Sequence, residues 1–191
     1  NADLPDDGDA QLFVYHDATD GGPNRLYRSA GLWQFSDVTR EVGLDDDNHR
    51  HSLAASWEDF DNDGDEDIFV TNFSDDVNTL YQNQGHGSFT DATHTAGLGG
   101  VARPFLGWST ALADFNLDGW LDIFVVNGHL YPQLEIHPLG LSYRQRNQLY
   151  WNRAGVFAPA AIAGLEAERV SRGAAFGDYD NDGDLDIVVN N

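Results

Sequence analysis

Residues 59–72 read DFDNDGDEDIFVTN, an acidic glycine-containing turn that runs directly into an apolar segment. The same arrangement returns as DFNLDGWLDIFVVN at 114–127 and as DYDNDGDLDIVVNN at 178–191, and a degraded copy, DLPDDGDAQLFVYH, occupies 3–16. Repetition of a whole segment at this spacing is typical of folds that use one supersecondary unit several times. The chain is therefore predicted to form one repeat domain over residues 1–191.

Three other segments recur with this turn, and all are predicted to be strands. A run of small residues precedes it, as in SLAASWEDF (52–60), and a segment such as SFTDAT (88–93) closes the unit. Between the apolar segment and this last one lies the motif N-x-L-Y-x-N/S, whose copies are NRLYRS (24–29), NTLYQN (78–83) and NQLYWN (147–152). Short runs rich in β-branched and aromatic residues indicate strands. Four antiparallel strands per unit are typical of a β-propeller blade, so the predicted fold class is all-β.

The repeat boundaries predict two complete blades and two partial blades. Residues 1–44 would supply the second to fourth strands of one blade, and 169–191 the first and second strands of another. The complete blades would be 51–98 and 103–165, the latter with an insertion at 128–146. Closed propellers usually have four to eight blades. We therefore expect an incomplete propeller, which is either a segment of a larger one or is completed by other chains, including further copies of this one.

Composition excludes several classes of function. The 32 acidic residues outnumber the ten basic ones, and the net charge of −22 argues against nucleic acid and anionic membrane surfaces as partners. Cysteine is absent, which removes thiol nucleophiles and cysteine-based zinc sites. No apolar run approaches the roughly 18 residues of a membrane-spanning helix, and no motif typical of a catalytic site is present. The chain is therefore predicted not to be an enzyme.

The acidic turn has the chemistry of a calcium loop. Ca²⁺ binds six to eight oxygen atoms, and short loops supply them from alternate positions around a glycine turn. No soft ligand accompanies the carboxylates, which disfavours zinc and copper, and position 7 is either Asp or Trp, so it is expected to offer its backbone carbonyl. The alternative is an acidic surface without ions. The predicted ligands, for about three ions at one per intact loop, are Asp59, Asp61, Asp63, Asp65 and Asp67, then Asp114, Asn116, Asp118, Trp120 and Asp122, then Asp178, Asp180, Asp182, Asp184 and Asp186.

Weaker candidate sites lie outside the three intact loops. The degraded N-terminal copy retains Asp3 and Asp7 as weaker metal ligands. Asn72 begins an N-x-S/T triplet and is a possible glycosylation site. The insertion at 128–146 contains His129 and His137, which are possible metal ligands, but the favoured interpretation of the segment is a surface loop that packs on its neighbour.

These motifs resemble the FG-GAP or VCBS-type calcium-binding repeats of integrin-α-like β-propellers. The stretches 119–133, 146–165 and 172–191 are also similar to the propeller of the ASPIC/UnbV group of cartilage acidic protein-like proteins. The resemblance implies a propeller of about seven blades and an exported protein, located outside the cell, at its surface or in the periplasm. It implies a calcium-stabilised scaffold for adhesion or for a protein or glycan partner, and no known reaction.

The alternative function is that of a lectin or a carbohydrate-active enzyme on a propeller scaffold, which rests on fold-level analogy alone. An aromatic–carboxylate pocket in the insertion at 128–146 would favour it. The insertion contains aromatic residues but only one acidic residue, Glu135.

Overall fold

A computed structural model describes residues 21–136 and 140–191 of the chain. The degraded N-terminal copy, with the weaker predicted ligands Asp3 and Asp7, lies outside the described residues, as does His137. The described part is all-β, with twelve strands and a single 3₁₀ turn of helix at Pro132–Glu135. No helix in the described part is long and apolar enough to cross a membrane.

The strands form four antiparallel sheets in chain order, and within each four-stranded sheet every strand pairs with the next one in sequence. This confirms the predicted all-β class and the predicted strand order within a unit. The first sheet contains β1 (Tyr27–Gly31) and β2 (Gln34–Asp37); the second contains β3 (Ser52–Glu58), β4 (Asp67–Asn72), β5 (Thr79–Asn83) and β6 (Phe89–Asp91); the third contains β7 (Gly107–Ala113), β8 (Asp122–Asn127), β9 (Gln148–Arg153) and β10 (Val156–Pro159); the fourth contains β11 (Gly173–Gly177) and β12 (Asp186–Asn190).

The second strand of each complete sheet is buried on both faces. Every residue of β4 and β8 is buried. Phe69 on one face of β4 packs with Ile123 of the third sheet, whereas Val70 on the other face packs with Leu44 of the first unit. Because neighbouring sheets cover both faces, these strands read as continuous apolar runs without alternation. A third core lies between the third and fourth sheets.

The first strands of the second and third sheets, β3 and β7, contact each other, and small residues allow this close approach. A Cβ atom on Gly107 would lie 3.0 Å from Cβ of Thr71. The equivalent residue of the second sheet is Ser52, whose hydroxyl donates to Oδ1 of Asn72 at 2.7 Å. Gly107 has no hydroxyl, and Oδ1 of its strand partner Asn127 has no hydrogen-bond partner in the described part of the chain. The first residues of β3 and β7 therefore meet their strand partners differently.

Candidate metal centres

The three acidic loops share one backbone conformation. Each joins the first strand of its sheet to the second. Position 4 is left-handed in all three, with φ of 59° at Asn62, 58° at Leu117 and 63° at Asn181. The glycine at position 6 also has a positive φ, between 90° and 99°. Glycine adopts this conformation without strain and asparagine tolerates it, so the glycine is required by the turn that brings the acidic side chains together.

The carboxylate at position 1 organises each loop. Asp59 accepts hydrogen bonds from the backbone N–H of Asp63 at 3.1 Å and of Gly64 at 2.9 Å. The equivalent distances are 3.0 and 2.8 Å in the second loop and 3.1 and 3.0 Å in the third. Charge-assisted hydrogen bonds of this kind are about twice as strong as neutral ones. The same hydrogen-bond pattern therefore fixes the curvature of all three loops.

The carboxylate at position 9 is buried beneath the loop. Asp67 is 1% exposed and Asp122 is fully buried. Asp67 accepts hydrogen bonds from the backbone N–H of Phe60 at 3.1 Å and of Asn83 at 2.7 Å, and the equivalent distances to Asp122 are 3.2 and 2.8 Å. Burial raises the pKa of Asp67 to about 6 and also raises the pKa of Asp122, and the nearby loop carboxylates act in the same direction. A cation at this position would favour the ionised form of both groups.

Positions 1, 3 and 9 come together in space. Carboxylate oxygens of Asp59, Asp61 and Asp67 lie within 4.8 Å of one another. The third loop brings together its equivalent residues in the same way, and these are Asp178, Asp180 and Asp186. In the second loop the equivalent residues are Asp114, Asn116 and Asp122, so position 3 offers an amide oxygen in place of a carboxylate oxygen.

Positions 5 and 7 have a different arrangement. The carboxylate at position 5, as in Asp63, does not belong to these groups and accepts the backbone N–H of position 7. This bond measures 2.9 Å to Asp65, 3.0 Å between Trp120 and Asp118, and 2.9 Å between Asp184 and Asp182. Position 7 therefore has the same backbone role whatever its side chain. That its carbonyl also binds a metal remains a prediction.

The donor set fits a hard cation of the size of Ca²⁺. Two ligand atoms on opposite sides of one calcium ion lie roughly 5 Å apart, since each Ca–O distance is about 2.3–2.6 Å. The oxygens at positions 1, 3 and 9 lie within 4.8 Å of one another, and only oxygen ligands are present in these groups. A borderline-soft metal such as Zn²⁺ would instead favour nitrogen or sulfur ligands.

The last residue of the N-x-L-Y-x-N motif, to which the sequence pattern assigned no role, lies between two acidic loops. Asn152 is fully buried. Its side-chain amide donates to the carbonyl of Phe60 in the first loop at 2.7 Å and to the carbonyl of Leu121 in the second at 2.9 Å. The repetition of this asparagine was the only signal in the sequence. A second contact joins the same two loops, because Nδ2 of Asn62 donates to the carbonyl of Gly119 at 3.1 Å.

The possible glycosylation site lies at the opposite end of β4 from the acidic loop. Asn72 is 1% exposed, and its Nδ2 donates to the carbonyl of Val77 at 2.7 Å and to Oγ1 of Thr79 at 3.1 Å. Ser74, the third residue of the triplet, is fully buried. A glycan on Asn72 would have to displace these contacts in the folded protein, and glycosylation there remains a prediction from the sequence.

His129, considered above as a possible metal ligand, uses both ring nitrogens in hydrogen bonds. Nε2 lies 2.9 Å from Oγ of Ser74, and Nδ1 accepts the backbone N–H of Tyr131 at 3.2 Å. Because Nδ1 is an acceptor, Nε2 carries the proton and donates to the serine, so the pair is not a base-activated nucleophile. Burial, together with the smaller effect of the nearby Arg172, lowers the pKa of His129 to about 4.

The described part of the insertion at 128–146 packs on itself. Tyr131 and Tyr143 cover the small apolar core of the insertion, and Glu135 pairs with Arg144 at 3.0 Å. The single acidic residue is therefore in an ion pair and the aromatic rings are used in packing. These residues do not form the aromatic–carboxylate pocket that would favour a carbohydrate site.

The three intact loops lie in a part of the chain that is similar to a known family of repeats. A family model described as an FG-GAP-like repeat matches residues 59–125 and 139–189, which include all three intact loops. Cartilage acidic protein 1 of Xenopus tropicalis is 31% identical over 163 residues, covering 85% of this chain and 23% of that protein. The Mus musculus and Homo sapiens proteins of the same name are 34% and 33% identical over 130 and 129 residues, covering 65% of this chain and 17% of each relative.

The chain thus spans less than a quarter of the length of the curated relatives that it matches. The resemblance inferred from the motifs is confirmed, both for the repeat type and for the cartilage acidic protein relatives. With more than half of its residues matched by the family model, this chain belongs to the FG-GAP-like repeat family.

Proposed function

We propose that this chain is a calcium-binding segment of a β-propeller that acts outside the cell as a non-catalytic scaffold for a protein or glycan partner. The observation that carries this proposal is the repeated geometry of the acidic loops, in which the oxygens of positions 1, 3 and 9 converge within 4.8 Å in the first and third loops. The second loop has the same backbone conformation and the same hydrogen bonds.

The proposed role of the ion is to neutralise charge and to fix the turn between the first and second strands. The three nine-residue loops carry six, three and five acidic side chains, and like charges crowded at this spacing repel one another. In each loop the side chains at positions 1, 3, 5 and 9 would hold the ion, with the position 7 carbonyl. When bound, Ca²⁺ would supply two positive charges per loop and make the ionised form of the buried position 9 carboxylate favourable.

Propeller architecture is the arrangement that best accounts for the sheets. Four-stranded antiparallel sheets pack face to face, and adjacent first strands are in contact through small residues. This geometry is expected where blades converge around a common axis. Partners, including further copies of the chain, would bind through the loops that connect the strands, since loops on a rigid scaffold commonly carry binding function. From the family resemblance we further propose that the blades belong to a closed ring of about seven.

Calcium dependence of stability tests the function. A cation that binds only the folded chain stabilises it by about 2.7 kcal/mol per site at a concentration 100 times the Kd. We therefore expect a large drop in melting temperature when millimolar Ca²⁺ is replaced by excess chelator, and metal analysis should find about three ions per chain in the calcium-loaded sample.

The Asp63→Ala variant should bind one Ca²⁺ fewer per chain than the wild type. Asp46→Ala, at an exposed position outside the loops, is the matched control and should retain the full stoichiometry. Equal stoichiometry in the Asp63→Ala variant would remove the first loop from the assignment. Absence of bound metal in the wild type would reject the calcium function altogether.

A further inference from the structure

Asn152 is placed to transmit the state of one acidic loop to the next. All the hydrogen-bonding groups of its side chain are used: the amide donates to the carbonyls of Phe60 and Leu121, and Oδ1 accepts the backbone N–H of Gly155 at 2.9 Å. The side chain is fully buried, so water does not compete for these bonds. One residue therefore joins the first loop, the second loop and the turn between β9 and β10.

The contacts form a continuous path between the two buried carboxylates. The N–H of Phe60 donates to Asp67 at 3.1 Å, and the carbonyl of Phe60 accepts from the Asn152 side chain at 2.7 Å. The backbone N–H of Asn152 then donates to Asp122 at 2.8 Å. Any movement of Asp67 that shifts the Phe60 backbone must therefore disturb Asn152 and, through it, Asp122.

The other units provide an internal comparison. In the second unit the equivalent residue is Asn83, whose amide donates to the carbonyl of Glu66 and whose N–H donates to Asp67, both within its own sheet. In the first unit the equivalent residue is Ser29, whose hydroxyl, within residues 21–136 and 140–191, only accepts the N–H of Gly31 at 3.3 Å. A serine at this position thus preserves the bond to the turn and lacks the amide donors that reach the loops.

We infer that Asn152 is a positioning residue that couples the two loops, so that a cation bound in the loop 59–67 raises the affinity of the loop 114–122 for a second cation. This inference rests on the proposed calcium function. A cation in the first loop would hold Asp67 and the Phe60 backbone in place, and through them Asn152 and Asp122, so that binding in the second loop would cost less ordering. By linkage, the second loop must raise the affinity of the first by the same factor.

The test measures binding at the second loop alone. Trp120 is the only tryptophan in the three loops, so luminescence of Tb³⁺, an oxygen-preferring cation, sensitised through Trp120 reports on the loop 114–122. The part of the Tb³⁺ luminescence that disappears in the Trp120→Phe variant is the signal from the second loop. Asp63→Ala should weaken Tb³⁺ binding at the second loop by about tenfold, within the usual range of coupling between sites. Asp182→Ala, the equivalent change in the third loop, should leave the second-loop affinity unchanged.

The assignment to Asn152 is tested in a double-mutant cycle. In an Asn152→Ser background, Asp63→Ala should no longer change the second-loop affinity, whereas in an Asn83→Ser background it still should. Persistence of the full effect in Asn152→Ser would overturn the role of this residue. Equal second-loop affinity in Asp63→Ala and in the wild type would overturn the coupling while leaving the calcium-binding function intact. This comparison uses chains in which Asn152 is unchanged. If the wild type gave no Trp120-dependent signal, the calcium function of this loop would itself fail.

Discussion

The substitution Asn116→Asp should stabilise the folded chain when calcium is present and destabilise it when calcium is absent. Oδ1 of Asn116 accepts the backbone N–H of Asp118 at 2.9 Å, and Oδ1 of Asp61 makes the equivalent bond at 3.3 Å in the first loop. The substitution keeps this oxygen and replaces the amide nitrogen with a second, charged oxygen. The second loop has only three acidic side chains, so this is the loop in which one more carboxylate has the most to add.

The expected magnitudes follow from charge. Two unit charges 4 Å apart interact by about 1 kcal/mol in water and about 4 kcal/mol at an effective dielectric constant of 20. Position 116 is exposed, so the smaller figure applies to repulsion from the nearest exposed loop carboxylate when calcium is absent. With calcium bound, attraction to the doubly charged ion exceeds that repulsion. We expect about tenfold tighter binding at this loop, or about 1.4 kcal/mol, and destabilisation of about 1 kcal/mol in chelator.

Urea unfolding, once in millimolar Ca²⁺ and once in excess chelator, measures both effects as shifts of the midpoint. The matched control is Asp180→Asn in the third loop, which should produce the opposite pair of shifts. If Asn116→Asp changed the free energy of unfolding in the same direction under both conditions, the loop 114–122 would not be a cation site of the proposed kind.

Two further predictions concern pH and backbone conformation. Because the pKa of His129 falls to about 4 in the folded chain from the ordinary 6.5, the unfolded chain binds more protons between these values, so stability should fall by up to about 3 kcal/mol as the pH drops from 6.5 to 4. The His129→Gln variant should show a flatter pH profile of unfolding free energy than His86→Gln, which changes an exposed histidine; identical profiles would contradict the argument. Gly64→Ala should lower the melting temperature by about 2–4 °C, since φ is 93° there and a Cβ would meet nothing within 4 Å, which leaves the backbone cost of about 1 kcal/mol. Gly100→Ala, equally open and without a positive φ, should not lower it, and an equal drop in both variants would contradict the backbone explanation.

Much of the fold could be predicted because each strand has a distinct composition. The run DIFVTN at 67–72 lacks alternation, and the structure buries every residue of it between two sheets. The glycine of each loop predicted a tight turn, and its positive φ agrees with that prediction. Asp67 was predicted to complete the ligand set, and it lies beside Asp59 and Asp61 beneath the loop. All of these signals are local in the sequence.

The features that could not be predicted depend on contacts between distant residues or on conformations that composition hides. Asn152 lies 92 residues from Phe60, and no local pattern indicates that their groups meet. Asn62 and Asn181 suggest a left-handed residue at position 4, but Leu117 adopts the same conformation without that signal. The N-x-S/T triplet at 72–74 does not indicate whether Asn72 is buried. In the structure Asn72 is buried and its side-chain amide donates two hydrogen bonds.

The close approach at Gly107 means that the repeated units, although alike, are no longer interchangeable modules. A chain rearranged so that the second unit replaced the third would bring a serine into the position of Gly107, where Thr71 leaves about the space of a hydrogen atom. Duplicating a unit therefore creates a misfit at its border with the preceding unit, which later substitutions must remove. The side chains at the junctions therefore specify the order of units along the chain, and the units differ there while the backbone conformation of their loops is shared.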